Sequence, residues 1–538
     1  MTQRAFIPYN GGMGWFALLL ACTAPHGDDD SAPGSDEDSG DPVAEACPAL
    51  VLERVASWEG MEIPQVSQSD SSWPGAAIGD VTGDGLPDVV AAFAGGATLF
   101  RNLGAGEWNA ELLNVQGLSA PASRSVALAD LDNDDDLDAF LGAELGLPSY
   151  LLTNDGSGAF FPTPLDGFDH RAWSAAFGDL DGDADLDLFV ATYDGDLNLD
   201  AILGGSHGAG QAVLLQGSDG SFTETLGRVP ASTDPALSLH GALLDTEGDG
   251  DLDVYLANDF GPYLVSNQML VNDGSAYFST PGTSGSELSV YAMGAGVGDA
   301  NGDGSPDLFV TDVGPPHLLV NDGTGRYADA TLAMNAYVPA TSTNLVSWGA
   351  AFVDLDSDSW DDIVVSYGGL DSNVDVTQLR NADPTWTDSR DQASLLLRNR
   401  GGKTFERDDA AFTDVARARG IAVGDLDLDG RPDLVLVGKL YVHLFRTTGG
   451  CGPGVTLAFQ GPPGNRNGFG ARVDAVAAGH MATRWMLPSV TAGQSALEVY
   501  VGTGMSAAAD ITVTWPGGAV TEVGEVAAGS HLTVAWDD

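Results

Sequence analysis

The sequence predicts an all-β protein: a ring of seven four-stranded blades, followed by a small β-rich C-terminal domain. Three observations carry this expectation. An acidic nine-residue pattern recurs seven times between residues 80 and 433. Apolar runs of strand length flank every copy, and 71 glycines supply tight turns between short strands. The units recur about every 50–70 residues, a period that suits a four-stranded propeller blade and is too long for a β-solenoid repeat.

Composition narrows the field first. The chain has 538 residues, with 77 Asp+Glu against 21 Lys+Arg and a formal net charge of −56. No basic stripe is available for phosphates, which argues against a nucleic-acid partner. With 43% hydrophobic residues the chain is not a disordered polyacid. Carboxylates clustered in a folded chain point to bound cations.

The N-terminus reads as an export signal over residues 1–21. "WFALLLAC", Trp15 to Cys22, is apolar but too short to span a bilayer. "LLAC" resembles the bacterial lipoprotein signal, in which Cys22 becomes the lipidated first residue; ordinary secretion is the alternative. Thr23, rather than Asp, after Cys22 favours an outer-membrane destination in a Gram-negative cell. Residues 22–50 form an acidic tether, with "DDD" and "DED" runs and little to bury before Cys47. A lipid anchor is the only expected contact with a membrane.

The repeats occupy residues 51–450. Position 1 is Asp80, Asp130, Asp179, Asp245, Asp299, Asp354 or Asp425. Position 3 is Thr82, Asp132, Asp181, Glu247, Asn301, Asp356 or Asp427. Position 5 is Asp84, Asp134, Asp183, Asp249, Asp303, Asp358 or Asp429, and position 9 is Asp88, Asp138, Asp187, Asp253, Asp307, Asp362 or Asp433. Small apolar residues precede each copy ("GAAIGD", "SAAFGD", "GAGVGD"), as the crowded innermost strand of a blade requires. β-Rich runs such as "DLFVAT" and "DVYLAN" follow, then a third run ending in a turn and an aromatic, as in "MLVNDGSAYF".

Alternate oxygen donors on a tight loop converge on one hard cation. Calcium takes six to eight oxygens and tolerates irregular geometry, whereas magnesium demands a stricter octahedron, so calcium is expected, up to seven ions. Position 7 varies freely because it would lend only its backbone carbonyl. Glycine at position 6 in four copies eases the turn. Thr82 and Glu247 mark atypical sites. The ions are expected to be structural rather than catalytic.

These loops resemble the FG-GAP/VCBS repeats, also seen in integrin α-chains. Residues 451–538 carry "GNRNGFGARV" and "VTWPGGAV", which resemble the ASPIC/UnbV module, named partly from cartilage acidic protein. The resemblance implies an extracellular calcium-binding propeller with a β-rich tail domain and no established reaction.

Geometry suggests where a partner would dock. A first strand of about six residues spans roughly 20 Å, from one face of the ring to the other. The residue six places before each loop therefore lies at the mouth opposite the ions. Arg124, Trp173, Trp348 and Arg419 fall there, and the long connections 193–211 and 367–392 emerge on the same side. This face is expected to bind an extracellular protein or a glycan; the alternative is that the tryptophans only plug the channel.

Cys47 precedes the first blade and Cys451 follows the last. They are either two free thiols or one disulfide, and ring closure favours the disulfide. No catalytic motif is present in the sequence. His170 and His240 are the histidines to probe for the rival reading, a calcium-dependent glycan lyase or hydrolase. The favoured reading is a calcium-binding adhesion or interaction protein.

Overall fold

Every acidic loop joins two antiparallel strands. The strand before it is short, rich in small residues and almost wholly buried: Gly75–Gly79, Ser125–Ala129, Ala172–Gly178, Leu237–Leu244, Ala292–Gly298, Ser347–Val353 and Ala418–Gly424. The strand after it starts at the position-9 aspartate and is buried throughout, as in Asp187–Thr192 and Asp253–Asp259. Burial on both faces explains why these runs read as continuously apolar rather than alternating.

The structure, a computed structural model, describes residues 47–59, 63, 74–93, 95–118, 123–194, 210–338, 345–370, 392–412 and 417–537. Cys22, the leader and most of the acidic tether lie outside the described residues. So do 195–209 and 371–391 of the two long connections. The described part is one unit, Cys47–Asp538.

Among the described residues, seven sheets each contain one of these strand pairs. Their first strands touch in sequence order, and Ala418–Gly424 of the last returns to Gly75–Gly79 of the first. The apolar cores lie between neighbouring sheets; one joins Ala176 and Phe189 to Leu243, Val254 and Leu256 of the next sheet.

The ring is closed from the N-terminus. Val51–Glu59 is the outer strand of the last sheet, antiparallel to Tyr441–Thr448, with Val51 opposite Thr448 and Glu59 opposite Tyr441. Cys47 and Cys451 flank this pairing and are joined by a disulfide, with their Cα atoms 4.6 Å apart. Residues 51–59 therefore belong to the last sheet rather than the first.

The C-terminal domain has its own core around Val455, Val473, Ile511, Val513 and Trp515. It is not a simple tail. Its hairpin, Ser489–Val490 with Gly493–Gln494, enters the central channel and touches the first strand of all seven sheets. Gln494 pairs with Ala77, so the hairpin extends the first sheet. The Gln494 amide holds Leu128 by both backbone groups, at 3.1 and 3.0 Å. Gly75 is required here: a Cβ would lie 1.7 Å from the Ala492 carbonyl oxygen.

Candidate metal centre

The loops share one backbone geometry. Positions 4 and 6 adopt positive φ throughout, for instance Gly83 and Gly85 (67° and 84°), Asn133 and Asp135 (65° and 70°), and Ser357 and Ser359 (60° and 80°). This conformation turns successive N–H groups inward, forming a nest for a negative group. The position-1 carboxylate fills it. Asp130 Oδ1 accepts from the N–H groups of Asn133 and Asp134 at 2.7 and 3.2 Å, and Oδ2 accepts from Asp135 at 3.1 Å. Asp245 and Asp299 repeat the pattern. Glycine at position 6 is thus half of the requirement, since position 4 needs the same freedom.

Position 9 ties the loop to its sheet. Its Oδ1 accepts a backbone N–H from the third strand: Asn272 to Asp253 and Asn399 to Asp362, both at 2.8 Å. In five loops its Oδ2 accepts the position-2 N–H, as Leu180 donates to Asp187 at 3.0 Å. In the first loop the Thr82 hydroxyl donates to Asp88 instead, at 3.0 Å.

Four loops gather three carboxylates with one oxygen from each within 4.8 Å of the others: Asp130, Asp132 and Asp138; Asp179, Asp181 and Asp187; Asp354, Asp356 and Asp358; Asp425, Asp427 and Asp433. Burial drives the position-9 carboxyls up, to about 7 for Asp138 and Asp187 and about 8 for Asp307 and Asp433. Burial, then the Asp358 charge, raises Asp354; burial, then the Asp356 charge, raises Asp362. Buried oxygens of Asp181, Glu247, Asp356 and Asp362 meet no hydrogen-bond donor among the described residues. Buried carboxylate oxygens without donors call for a cation, and an all-oxygen set suits a hard one. These clusters could hold metal ions, and the residues fit them.

A second device links each loop to the next sheet. The amide of Asn272 donates to the Leu180 carbonyl of the preceding loop at 2.8 Å, and to Leu252 of its own at 3.1 Å. Asn102, Asn154, Gln216, Asn321 and Asn399 reach Leu426, Val81, Leu131, Thr246 and Ala300 in the same way. The asparagine of "VND" is therefore a clip between sheets, a role its turn-like context concealed. The last sheet has Thr447 at this place; there Cys451 N–H donates to the Asp356 carbonyl at 2.7 Å, beside the disulfide.

At the opposite mouth, the expected residues do converge. Trp173, Leu239, Met293 and Trp348 form one buried cluster with Tyr193 and Leu370. A β-bulge falls at this point of the first strand in five sheets, and it re-aims these side chains. The Arg124 guanidinium lies over Trp173 at 4.8 Å, and that of Arg419 over Trp348 at 3.8 Å. Arg419 also donates to the carbonyls of Gly368 and Gly369, and Arg124 pairs with Glu144. All four are buried, at 2–7% exposure, and pack on one another.

Both singled-out histidines have structural partners. His170 lies between Asp194 and Glu224, whose hydrogen bonds raise it to about 10. His240 is buried in the channel wall, faces Ser489 of the hairpin at 3.3 Å, and is lowered to about 4 by burial.

Comparison with known proteins follows the same division of the chain. Residues 80–141, 245–310 and 299–365 match the FG-GAP-like repeat, and residues 461–538 match ASPIC and UnbV. No curated protein matches. Among solved structures, an Agrocybe aegerita lectin specific for non-reducing terminal N-acetylglucosamine is 16% identical, over 64% of this chain and 81% of its own, at a TM-score of 0.39. Rhamnogalacturonan lyase YesW is 11% identical, over 73% and 75%, at 0.41. BBS1N, solved in complex with ARL6DN, is 10% identical, over 73% and 97%, at 0.42. Likenesses this distant say nothing about ligand or activity. Repeats, sheets and tail agree on one description: this all-β chain carries FG-GAP-like repeats on a propeller-type fold and ends in an ASPIC and UnbV domain.

Proposed function

We propose that the seven sheets are the blades of a calcium-stabilised, exported propeller that binds ligands outside the cell, held to the envelope by a lipid on Cys22. The observation that carries this reading is the shared loop geometry. Seven nests of inward N–H groups fix seven position-1 aspartates, and in the third, fourth and sixth loops buried carboxylate oxygens meet no donor among the described residues. A chain of charge −56 gains most from cations whose ligands are already in place.

The ligand class favoured is a glycan. A cleft of ≈ 890 Å³ lies between the third, fourth and fifth loops and the C-terminal domain, with Asn465, Arg472 and Trp485 on the domain side and Asp249 and Asp251 on the other. Aromatic and hydrogen-bonding side chains beside a hard cation suit sugar hydroxyls.

Glycan-array binding with calcium and with chelator tests the reading, followed by a product assay on the hits. Calcium-dependent binding without turnover, lost in Arg472→Ala with Trp485→Ala, supports it. Cleavage of a bound glycan makes the protein an enzyme instead. Binding of proteins but no glycan removes the ligand class, and absence of bound calcium removes the whole reading.

A further inference from the structure

Of the seven loops, the sixth differs most. Position 5 is exposed in the other six, whereas Asp358 is half-buried and Asp354, Asp356 and Asp362 are buried. Positions 4 and 6 are Ser357 and Ser359, each at positive φ where most copies have glycine. Serine is strained there, so the hydroxyls need a reason to be present.

The C-terminal domain supplies it. The Ser359 hydroxyl donates to the Gly502 carbonyl at 2.8 Å, and the Ser357 hydroxyl meets Tyr500 Oη at 2.6 Å. Gly504 N–H donates to the Ser357 carbonyl at 2.8 Å. Arg484 pairs with the buried Asp361, the position-8 residue, at 2.9 Å. Trp360, at position 7, stacks on His480 with ring centroids 3.8 Å apart. Gly502 lies so close that a Cβ would stand 1.9 Å from Asp354 Oδ2. Positions 4, 6, 7 and 8 of this one loop thus contact the tail domain, leaving positions 1, 3, 5 and 9 for an ion. Asp362 Oδ2, on a residue only 1% exposed, faces that space, and neither it nor the buried Asp356 Oδ1 meets a donor among the described residues.

We propose that the sixth loop is a calcium lock for the C-terminal domain: its ion is enclosed by the docked domain, exchanges only when the domain lifts, and in turn holds the domain and its channel hairpin in place. The proposal rests on the calcium reading above. Its physical basis is reciprocal. The carboxylates repel one another without the ion, which distorts the backbone the domain grips; a lifted domain exposes the ion to water. The second and seventh loops also meet the domain, through Asn467 at the Asp130 N–H and Glu498 at the Asp425 N–H, but they keep position 5 in solvent.

Radiocalcium exchange from the loaded full-length protein tests it, with stoichiometry measured separately by equilibrium dialysis. The expected trace has a fast class and one slow ion, released about tenfold or more slowly. Tyr500→Phe with His480→Ala, which leaves every proposed ion ligand intact, should move the slow ion towards the fast class at unchanged stoichiometry. A second readout needs no variant. During chelator titration of the wild type, the Ala496 amide, bonded to Val423, and the Ser359 amide, bonded to Asp354, should lose hydrogen-exchange protection together. A single exchange class, a slow ion unmoved by the variant, or an Ala496 amide that stays protected after the Ser359 amide opens would each overturn the lock while leaving calcium binding intact. Zero bound ions would overturn both.

Discussion

The side-chain amide of Asn272 bonds the carbonyl of Leu180 at 2.8 Å, joining the third strand of one sheet to the acidic loop of the sheet before it. This contact recurs around most of the ring, so loop order and ring order are mechanically coupled. Asn272→Ala orphans two buried carbonyls and is expected to cost about 1–3 kcal/mol. Urea denaturation in calcium measures it. Asn109→Ala, on an exposed side chain, is the control and should shift stability by less than about 0.5 kcal/mol.

On the calcium reading proposed above, removing calcium should be the largest single perturbation. A site held at a hundred times its dissociation constant adds about 2.7 kcal/mol, and several together approach the whole stability of an ordinary domain, about 5–15 kcal/mol. Chelator should therefore lower the melting temperature steeply, with recovery on adding calcium and much less on adding magnesium. An unchanged melting curve would show that the nests hold without ions.

The disulfide should matter through the strand it pins. Cys47→Ser with Cys451→Ser is expected to lower stability by about 2–4 kcal/mol, the usual contribution of a native disulfide. Hydrogen exchange should rise first in Val51–Glu59, before the other sheets respond. Uniform exchange across all sheets would argue that the ring closes without this clasp.

His170 predicts a pH dependence. Its hydrogen bonds to Asp194 and Glu224 raise it from 6.5 to about 10 in the folded state. The stabilisation is thus fully present below about 6.5 and fades as pH rises towards 10. His170→Gln should destabilise most at pH 6 and least above pH 10, in denaturation series with calcium held constant. Equal losses at both ends would assign His170 a packing role.

The repeat was legible because its physics is local. Alternate oxygens, turn residues and small-residue strands all lie within one stretch of about twenty residues, and each copy restates the others. The convergence of Trp173 and Trp348 was legible for the same reason, as a fixed offset from each loop. Their burial stood in the sequence only as the alternative reading, because it depends on bulges and on Arg124 and Arg419 arriving from other sheets. The Asn272 clip hid behind a residue that also suits a turn. Least legible was the stretch Leu487–Leu497: its short hairpin has weak periodicity of its own, and seven other strands determine its place. Ser357 and Ser359 did carry a signal, since they stand at positions where glycine is the cheaper choice.

The two closures run in opposite directions along the chain. Val51–Glu59 completes the last sheet, and Ser489–Gln494 extends the first. Neither end of the ring is finished until residues more than 350 positions apart have met. Such contacts raise the entropic barrier to folding and favour partly closed intermediates with open strand edges. Maturation is therefore expected to be slow and to complete only after the channel hairpin has docked. A chain in which that segment has yet to dock offers an unfilled channel and an unpaired edge, a natural target for holding chaperones.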